Sequence, residues 1–237
     1  MASAFGMVEL AIHAPFYNKL NEVLGLNTDE FYTSYVDDPV LKARVDFLDD
    51  LVNSEDDLLS VAVFSIIEGA ILFSAFAMFK NFQSNGNNML MNVVRGINQS
   101  SIDEGLHQQG GALLFKTTLK ESKLPKEEKE ELFKRIQEAA KIVGEHEELI
   151  INKLCEKGNP RGITAEQLIT FSHSRVNICL GDLGIEPVFE IGENKIAEWF
   201  YGSVQKLQFN DIFSGIGREY SRGWDEQNFI WRHAGVQ

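Results

Sequence analysis

Apolar residues recur along most of this chain at intervals of three and four, the spacing of helices that bury one face. Val8, Leu10, Ile12, Phe16, Leu20, Val23 and Leu24 place a helix over 3–25. Pro15 should kink or unwind the turn before it, and Gly25 with Asn27 should end it. Asp38-Pro39 opens a second helix over 38–53, with Val40, Leu41, Val45, Phe47, Leu48 and Leu51 as its apolar positions. Ser54, with Asp57 three residues on, caps a long apolar helix that is expected to reach about Gln83, before the turn Asn85-Gly86-Asn87. Met89, Leu90, Val93, Ile97, Ile102 and Leu106 stripe a helix over 88–120. Gly110-Gly111 weakens its middle by about 1 kcal/mol per glycine and permits either a bend or a close approach of another helix.

Pro125 followed by Glu127 and Glu128 starts a further helix that continues to Lys157, where Gly158-Asn159-Pro160 stops it. Thr164-Ala165-Glu166-Gln167 has the form of a capping box and begins a helix to about Leu180. Residues 181–237 carry glycines, scattered aromatics and a short apolar piece near Ile196–Tyr201, and read as a tail that is partly wrapped and partly mobile. Neither strand alternation nor an internal repeat is visible. The expectation is an all-α bundle over 1–204 with a C-terminal tail over 205–237.

Composition narrows this picture in three respects. A chain of 237 residues can bury one sizeable core. Its 22 basic and 35 acidic residues leave a net charge of −13, which argues against nucleic acid or an anionic membrane as a partner. Cys155 and Cys179 lack the spacing of a disulfide framework or a zinc site, and the N-terminus lacks a basic leader, so a cytoplasmic protein with reduced thiols is expected. The run Leu58–Phe79 is apolar enough to span a membrane. Glu68 at its centre, with Ser60, Ser65 and Ser74, fits a buried bundle helix better.

Candidate chemistry centres on Glu104-x-x-His107, whose spacing puts a carboxylate and an imidazole on one helix face. That pair alone arises often by chance. It gains weight from Glu68 and from Glu9 with His13, which sit in apolar runs where a carboxylate is costly unless it is paired or metal-bound. Helical di-metal carboxylate proteins combine single carboxylates with Glu-x-x-His pairs from facing helices. Such oxygen-rich ligand sets suit iron or manganese. Glu9 and His13 are four apart rather than three, with Leu10 at the expected position, and a π-bulge would align them. Plainer readings stand beside these. Glu68 could be a buried acid bonded to a serine, and Tyr17 a core residue. His146, among Glu145, Glu147 and Glu148, reads as a surface residue, and His173 and His233 have no evident partner.

Taken in order, these pieces resemble the small, radical-bearing subunit of class I ribonucleotide reductase. His13-Ala14-Pro15-Phe16-Tyr17 is similar to the family's His-x-x-x-Tyr, Ile67-Glu68-Gly69 to its third ligand helix, and Asp103-Glu104-Gly105-Leu106-His107 to its Asp-Glu-x-x-His. Arg218-Glu219-Tyr220-Ser221 resembles its Glu-Tyr tail. The resemblance implies a ferritin-like di-metal bundle in which Glu9, His13, Glu68, Glu104 and His107 hold two iron or manganese ions. Dioxygen would be the oxidant, Tyr17 would carry the radical, and Asp103 would accept a hydrogen bond from a ligand histidine. Glu219 and Tyr220 would belong to a relay to a separate large subunit that reduces ribonucleoside diphosphates, and the small subunit would be a homodimer.

One departure stands out. The family's first carboxylate lies on a helix before His-x-x-x-Tyr, yet no acid precedes Glu9. The chain is then expected to be part of a longer or split subunit, or to draw that ligand from elsewhere. Asp49 and Asp50 can be nominated but read as a solvated helix end. The rival readings are another ferritin-like di-metal oxidase, and a metal-poor half-bundle completed by a second chain.

Overall fold

The computed structural model describes residues 6–52, 54–83 and 89–205. Among these residues the chain is helical, with no strand. A π turn, Glu9–His13, runs into α1 (Ala14–Val23). A short α2 (Asp29–Thr33) and a 3-10 turn (Ser34–Asp37) lead to α3 (Pro39–Val52). Then follow α4 (Asp57–Ala70), α5 (Phe73–Asn81), α6 (Met91–Ser122), α7 (Lys126–Leu154), α8 (Ala165–Leu183) and α9 (Lys195–Gln205). The chain divides into one unit, Met1–Val204, and a second, Gln205–Gln237, which lies outside the described residues except for Gln205.

Several boundaries differ from the pattern-based reading, each for a local reason. The cap of α4 is Asp56, whose carboxylate accepts from Leu59 N at 3.0 Å, while Ser54 Oγ accepts from Asp56 N at 3.2 Å. The expected single helix to Gln83 is broken at 71–72 into α4 and α5. An apolar run shows no such break, because a break there changes backbone geometry without changing which residues are buried. The stretch 29–37, for which the apolar pattern predicts no element, holds α2, capped by Thr28 Oγ1 accepting from Phe31 N at 3.2 Å. Helix α8 does open with the Thr164–Gln167 capping box. It ends at Gly184 (φ 79°), where Ile185 N donates back to Leu180 O at 2.9 Å.

Residues 185–204 are wrapped onto the bundle. Asn177 of α8 accepts from Val188 N and Phe189 N through Oδ1 and donates to Phe189 O at 2.8 Å, and α9 buries Ile196 and Phe200. This stretch is the wrapped part of the C-terminal segment, held by paired apolar residues despite its polar, glycine-containing composition.

Two apolar layers hold the helices together. In one, Ala62, Ile66 and Ala70 of α4 meet Phe115 of α6, Ile136 and Val143 of α7, and Val176 and Leu180 of α8. In the other, Phe73 and Phe76 of α5 meet Ile97 of α6, Ile151 of α7, Phe171 of α8 and Phe200 of α9. Each large side chain so buried contributes roughly 1.5–3 kcal/mol. The α4–α6 contact is close because Gly111 has no side chain. A Cβ there would sit 3.0 Å from Ser65 Cβ. Helix α6 passes through Gly110-Gly111 without a break, so close approach, not a bend, is the outcome. Gly96 likewise makes room on α6 for the Phe16 ring of α1.

Candidate metal centre

Five donor side chains converge where the π turn, α4 and α6 meet. In the π turn, Ala14 N donates to Glu9 O across five residues. That extra residue per turn puts Glu9 and His13 on one face, as the four-residue spacing required. Glu104 and His107 share a face of α6 at ordinary helical spacing. Glu68 reaches the same space from α4. His13 Nδ1 lies 2.7 Å from Glu9 Oε1 and 3.2 Å from Glu104 Oε1. His107 Nδ1 lies 3.0 Å from Glu68 Oε2 and 3.1 Å from Glu104 Oε2. Two groups of three donors result, Glu9–His13–Glu104 and Glu68–Glu104–His107, each with its donor atoms within 4.8 Å of one another. Glu104 belongs to both, one carboxylate oxygen toward each histidine.

The donor set fits a cation on an internal observation. Glu9 Oε1 and His13 Nδ1 are both buried and neither has a hydrogen-bond partner, although they are only 2.7 Å apart. At that separation a cation between or beside them would satisfy both. Buried polar atoms are rarely left so, since each costs about 1–3 kcal/mol.

Electrostatics points the same way. Burial pushes the His13 imidazole down, but Glu104, Glu9 and Asp103 outweigh it and raise it to about 9. Burial, together with a hydrogen bond to Glu104, raises Glu68 to about 8. Burial also works to raise Glu104, yet His13, Glu68 and His107 bring it below the usual carboxylate value. Two carboxylates so enclosed, Glu68 and Glu104, need protons or cations to neutralise them.

Around these donors, Asp103 Oδ2 lies 3.2 Å from His13 Nε2, on the ring edge facing away from Glu104. Tyr17, one helical turn after His13, donates its hydroxyl to Ser100 Oγ of α6 at 3.4 Å. Burial raises its pKa, and Ser100 lowers it only in part.

The structure thus brings Glu9, His13, Tyr17, Glu68, Asp103, Glu104 and His107 together. Asp49 and Asp50 are exposed on α3 and belong to neither donor group. Glu219 and Tyr220 lie outside the described residues. Glu68 has histidine, not serine, as its neighbour. His146 is half-buried with its ring edge-on to Phe47 at 5.7 Å, which corrects the surface reading, and His173 stacks on Phe189 at 3.9 Å.

Pattern reading passed over three polar residues. Ser100 sits beside Tyr17 and carries no distinctive spacing. Glu147 is fully buried between Arg44 and Ser74, each at 2.5 Å. Arg175 is buried on α8. The last two had a signal: each interrupts an apolar stripe, Glu147 between Val143 and Ile151, Arg175 between Phe171 and Cys179.

Comparison with known proteins gives this geometry a context. The family described as ribonucleotide reductase, small chain, matches residues 1–195. The ribonucleoside-diphosphate reductase subunit beta of Mycoplasmoides gallisepticum is 26% identical over 222 residues. That alignment covers 92% of this chain and 63% of the relative, so the chain spans less than two thirds of that relative's length. Among solved structures, the dimanganese(II)-NrdF of Streptococcus sanguinis superposes with a TM-score of 0.67 at 22% identity, covering 81% of this chain and 66% of that one. The ribonucleotide reductase R2 subunit of Clostridium botulinum gives 0.61 at 18%, covering 78% and 61%. At these identities the two structures speak for the fold, which is the ferritin-like helical bundle.

Proposed function

Because the chain belongs to the ribonucleotide reductase small-chain family, we propose that it serves as the metal-bearing small subunit of a ribonucleoside-diphosphate reductase in the cytoplasm. Its partner in this reading is a separate large subunit, and it pairs with a second copy of itself. The observation that carries the reading is the pair of donor groups joined through Glu104, inside the segment that matches the family.

Glu9, His13 and Glu104 would hold one ion, and Glu68, Glu104 and His107 the other. Iron or manganese there supplies, with dioxygen, the oxidising power to take one electron from a tyrosine. The chain's own residues set the conditions for that step. Asp103 accepts from His13 Nε2, which fixes the tautomer with Nδ1 free to coordinate. Tyr17 is held protonated by burial, so losing an electron also means losing the phenolic proton, and Ser100 Oγ is the atom to which that O–H points. Phe16, edge-on to Tyr17 at 5.1 Å, helps exclude water from the ring. In this reading Glu219 and Tyr220 pass the oxidising equivalent to the large subunit.

A second reading draws on one observation. Glu9 keeps 46% of its side chain exposed, so the first donor group is open on one side. A further carboxylate from outside the described residues would close it, and without that ligand the centre holds metal weakly and forms little radical.

The test is reconstitution. The chain is loaded with Fe(II) or Mn(II) in air and mixed with the large subunit from the same organism. Deoxyribonucleotide formation that needs both chains and fails in Tyr17→Phe supports the proposal. Metal loading and oxygen consumption with no turnover under any pairing would favour a di-metal oxidase instead.

A further inference from the structure

Helix α4 ends at Ala70, two residues after Glu68, and the last four carbonyls of a helix lack the N–H groups of a following turn. Ile67 O is met by Ile71 N at 3.1 Å. Gly69 O accepts instead from Arg175 Nε of α8 at 2.8 Å. The same guanidinium donates through Nη1 to Tyr201 Oη of α9 at 3.1 Å and lies 3.9 Å over the ring of Phe73, the first residue of α5. A cation at a helix C-terminus is favoured by the helix dipole, and burial strengthens that preference. Arg175 therefore acts as a side-chain cap where α4 stops, just before α5 restarts.

The residue so anchored directly follows Glu68. Gly69 is also wedged: a side chain there would overlap Cys179 Sγ of α8 and Gln108 Cγ of α6. The backbone at 68–69 is thus fixed from α6 and α8 together, and the charged contact among these is Arg175. We propose that Arg175 is a positioning residue for Glu68, and that Tyr201 makes its hold depend on α9 being seated on the bundle. This inference rests on the metal reading above.

The seating of α9 has its own contacts. Phe200 packs on Phe171 at 4.9 Å, and Lys80 Nζ, buried with no hydrogen-bond partner, lies 4.1 Å over the Phe200 ring. Tyr201 follows Phe200 in the chain, so displacement of α9 removes the phenol from Arg175. The guanidinium is then free to turn away from Gly69 O, and the turn carrying Glu68 loses its cap.

Titration of the full chain with Mn(II), read by electron paramagnetic resonance, tests this without turnover. The wild-type chain should give the spectrum of two exchange-coupled ions. Arg175→Met keeps volume and removes the donors. It should weaken the ion at Glu68 and His107 by about tenfold or more, leaving the spectrum of an isolated ion at the Glu9–His13–Glu104 group with unchanged helicity. Arg175→Lys, with one nitrogen in place of a fork, should fall between. Tyr201→Phe keeps the half-buried ring and should lower the same affinity a few-fold, and it decides alone if Arg175→Met does not fold. Unchanged coupling and affinity in Tyr201→Phe and in folded Arg175→Met would overturn the inference while leaving the metal centre intact. A wild-type chain that binds no ion pair would overturn both.

Discussion

Loading the centre with metal should expel about two protons per chain at pH 7. A ligand imidazole must offer a lone pair and a ligand carboxylate must be ionised, so protons held at the site leave as metal enters. His13 is raised to about 9, because three carboxylates outweigh its burial. At pH 7 it is almost wholly protonated. Glu68, raised to about 8 by burial and its bond to Glu104, keeps roughly nine tenths of a proton at that pH. Release should therefore approach two at pH 7 and fall to about 0.6 at pH 9. Affinity should climb by nearly a hundredfold between pH 6 and pH 7. Calorimetric titration with Mn(II) in non-chelating buffers of different ionisation enthalpy measures the count directly. In the metal-free chain the sign reverses. The stability that His13 contributes is complete below its unfolded value of 6.5 and is lost as pH rises through about 9. Glu68, whose neutral form the fold favours, loses stability in the same direction between 4.5 and about 8. Heats that do not change with buffer at pH 7, or a count below about half a proton, would refute the reasoning.

Three further outcomes follow from the same structure. Glu104→Ala should abolish tight binding of both ions, whereas Glu68→Gln should spare the ion at Glu9 and His13, as elemental analysis after gel filtration would show. Glu147→Ala strands the half-buried Arg44 and should cost about 3 kcal/mol of stability, read from the denaturant midpoint; an unchanged midpoint would remove the ion pair from the account. Tyr220→Phe should leave folding, metal content and large-subunit affinity within a few-fold of wild type and remove turnover in the reconstituted complex, and retained turnover would exclude Tyr220 from the relay.

Much of this was legible because burial leaves a periodic trace. Glu68, Glu104 and His107 stand on apolar helix faces, where an ionisable group is costly unless something meets it. The misfit of Glu9 and His13 was legible too, since four-residue spacing on a metal-binding face needs an extra residue in the turn, and the π turn supplies it. What escaped was set by tertiary contact. Beside the break at 71–72, Gly69 O is met by Arg175 from another helix, more than a hundred residues away in sequence, and no local pattern encodes that. Glu147 lay hidden inside a run of acids whose neighbours face solvent. The segment at 188–189 is fastened by the side chain of Asn177, one amide among many polar residues. In each case a partner from elsewhere in the chain, not the composition of the segment, decided the outcome.

The central claim is that Glu104 joins two metal ions held by different helices. Crystals of the chain grown with Mn(II) and measured above the manganese absorption edge test it most directly. The account predicts two anomalous peaks flanking the Glu104 carboxylate, one beside Glu9 and His13 and the other beside Glu68 and His107. A single peak away from Glu104, or none among these residues, would contradict it.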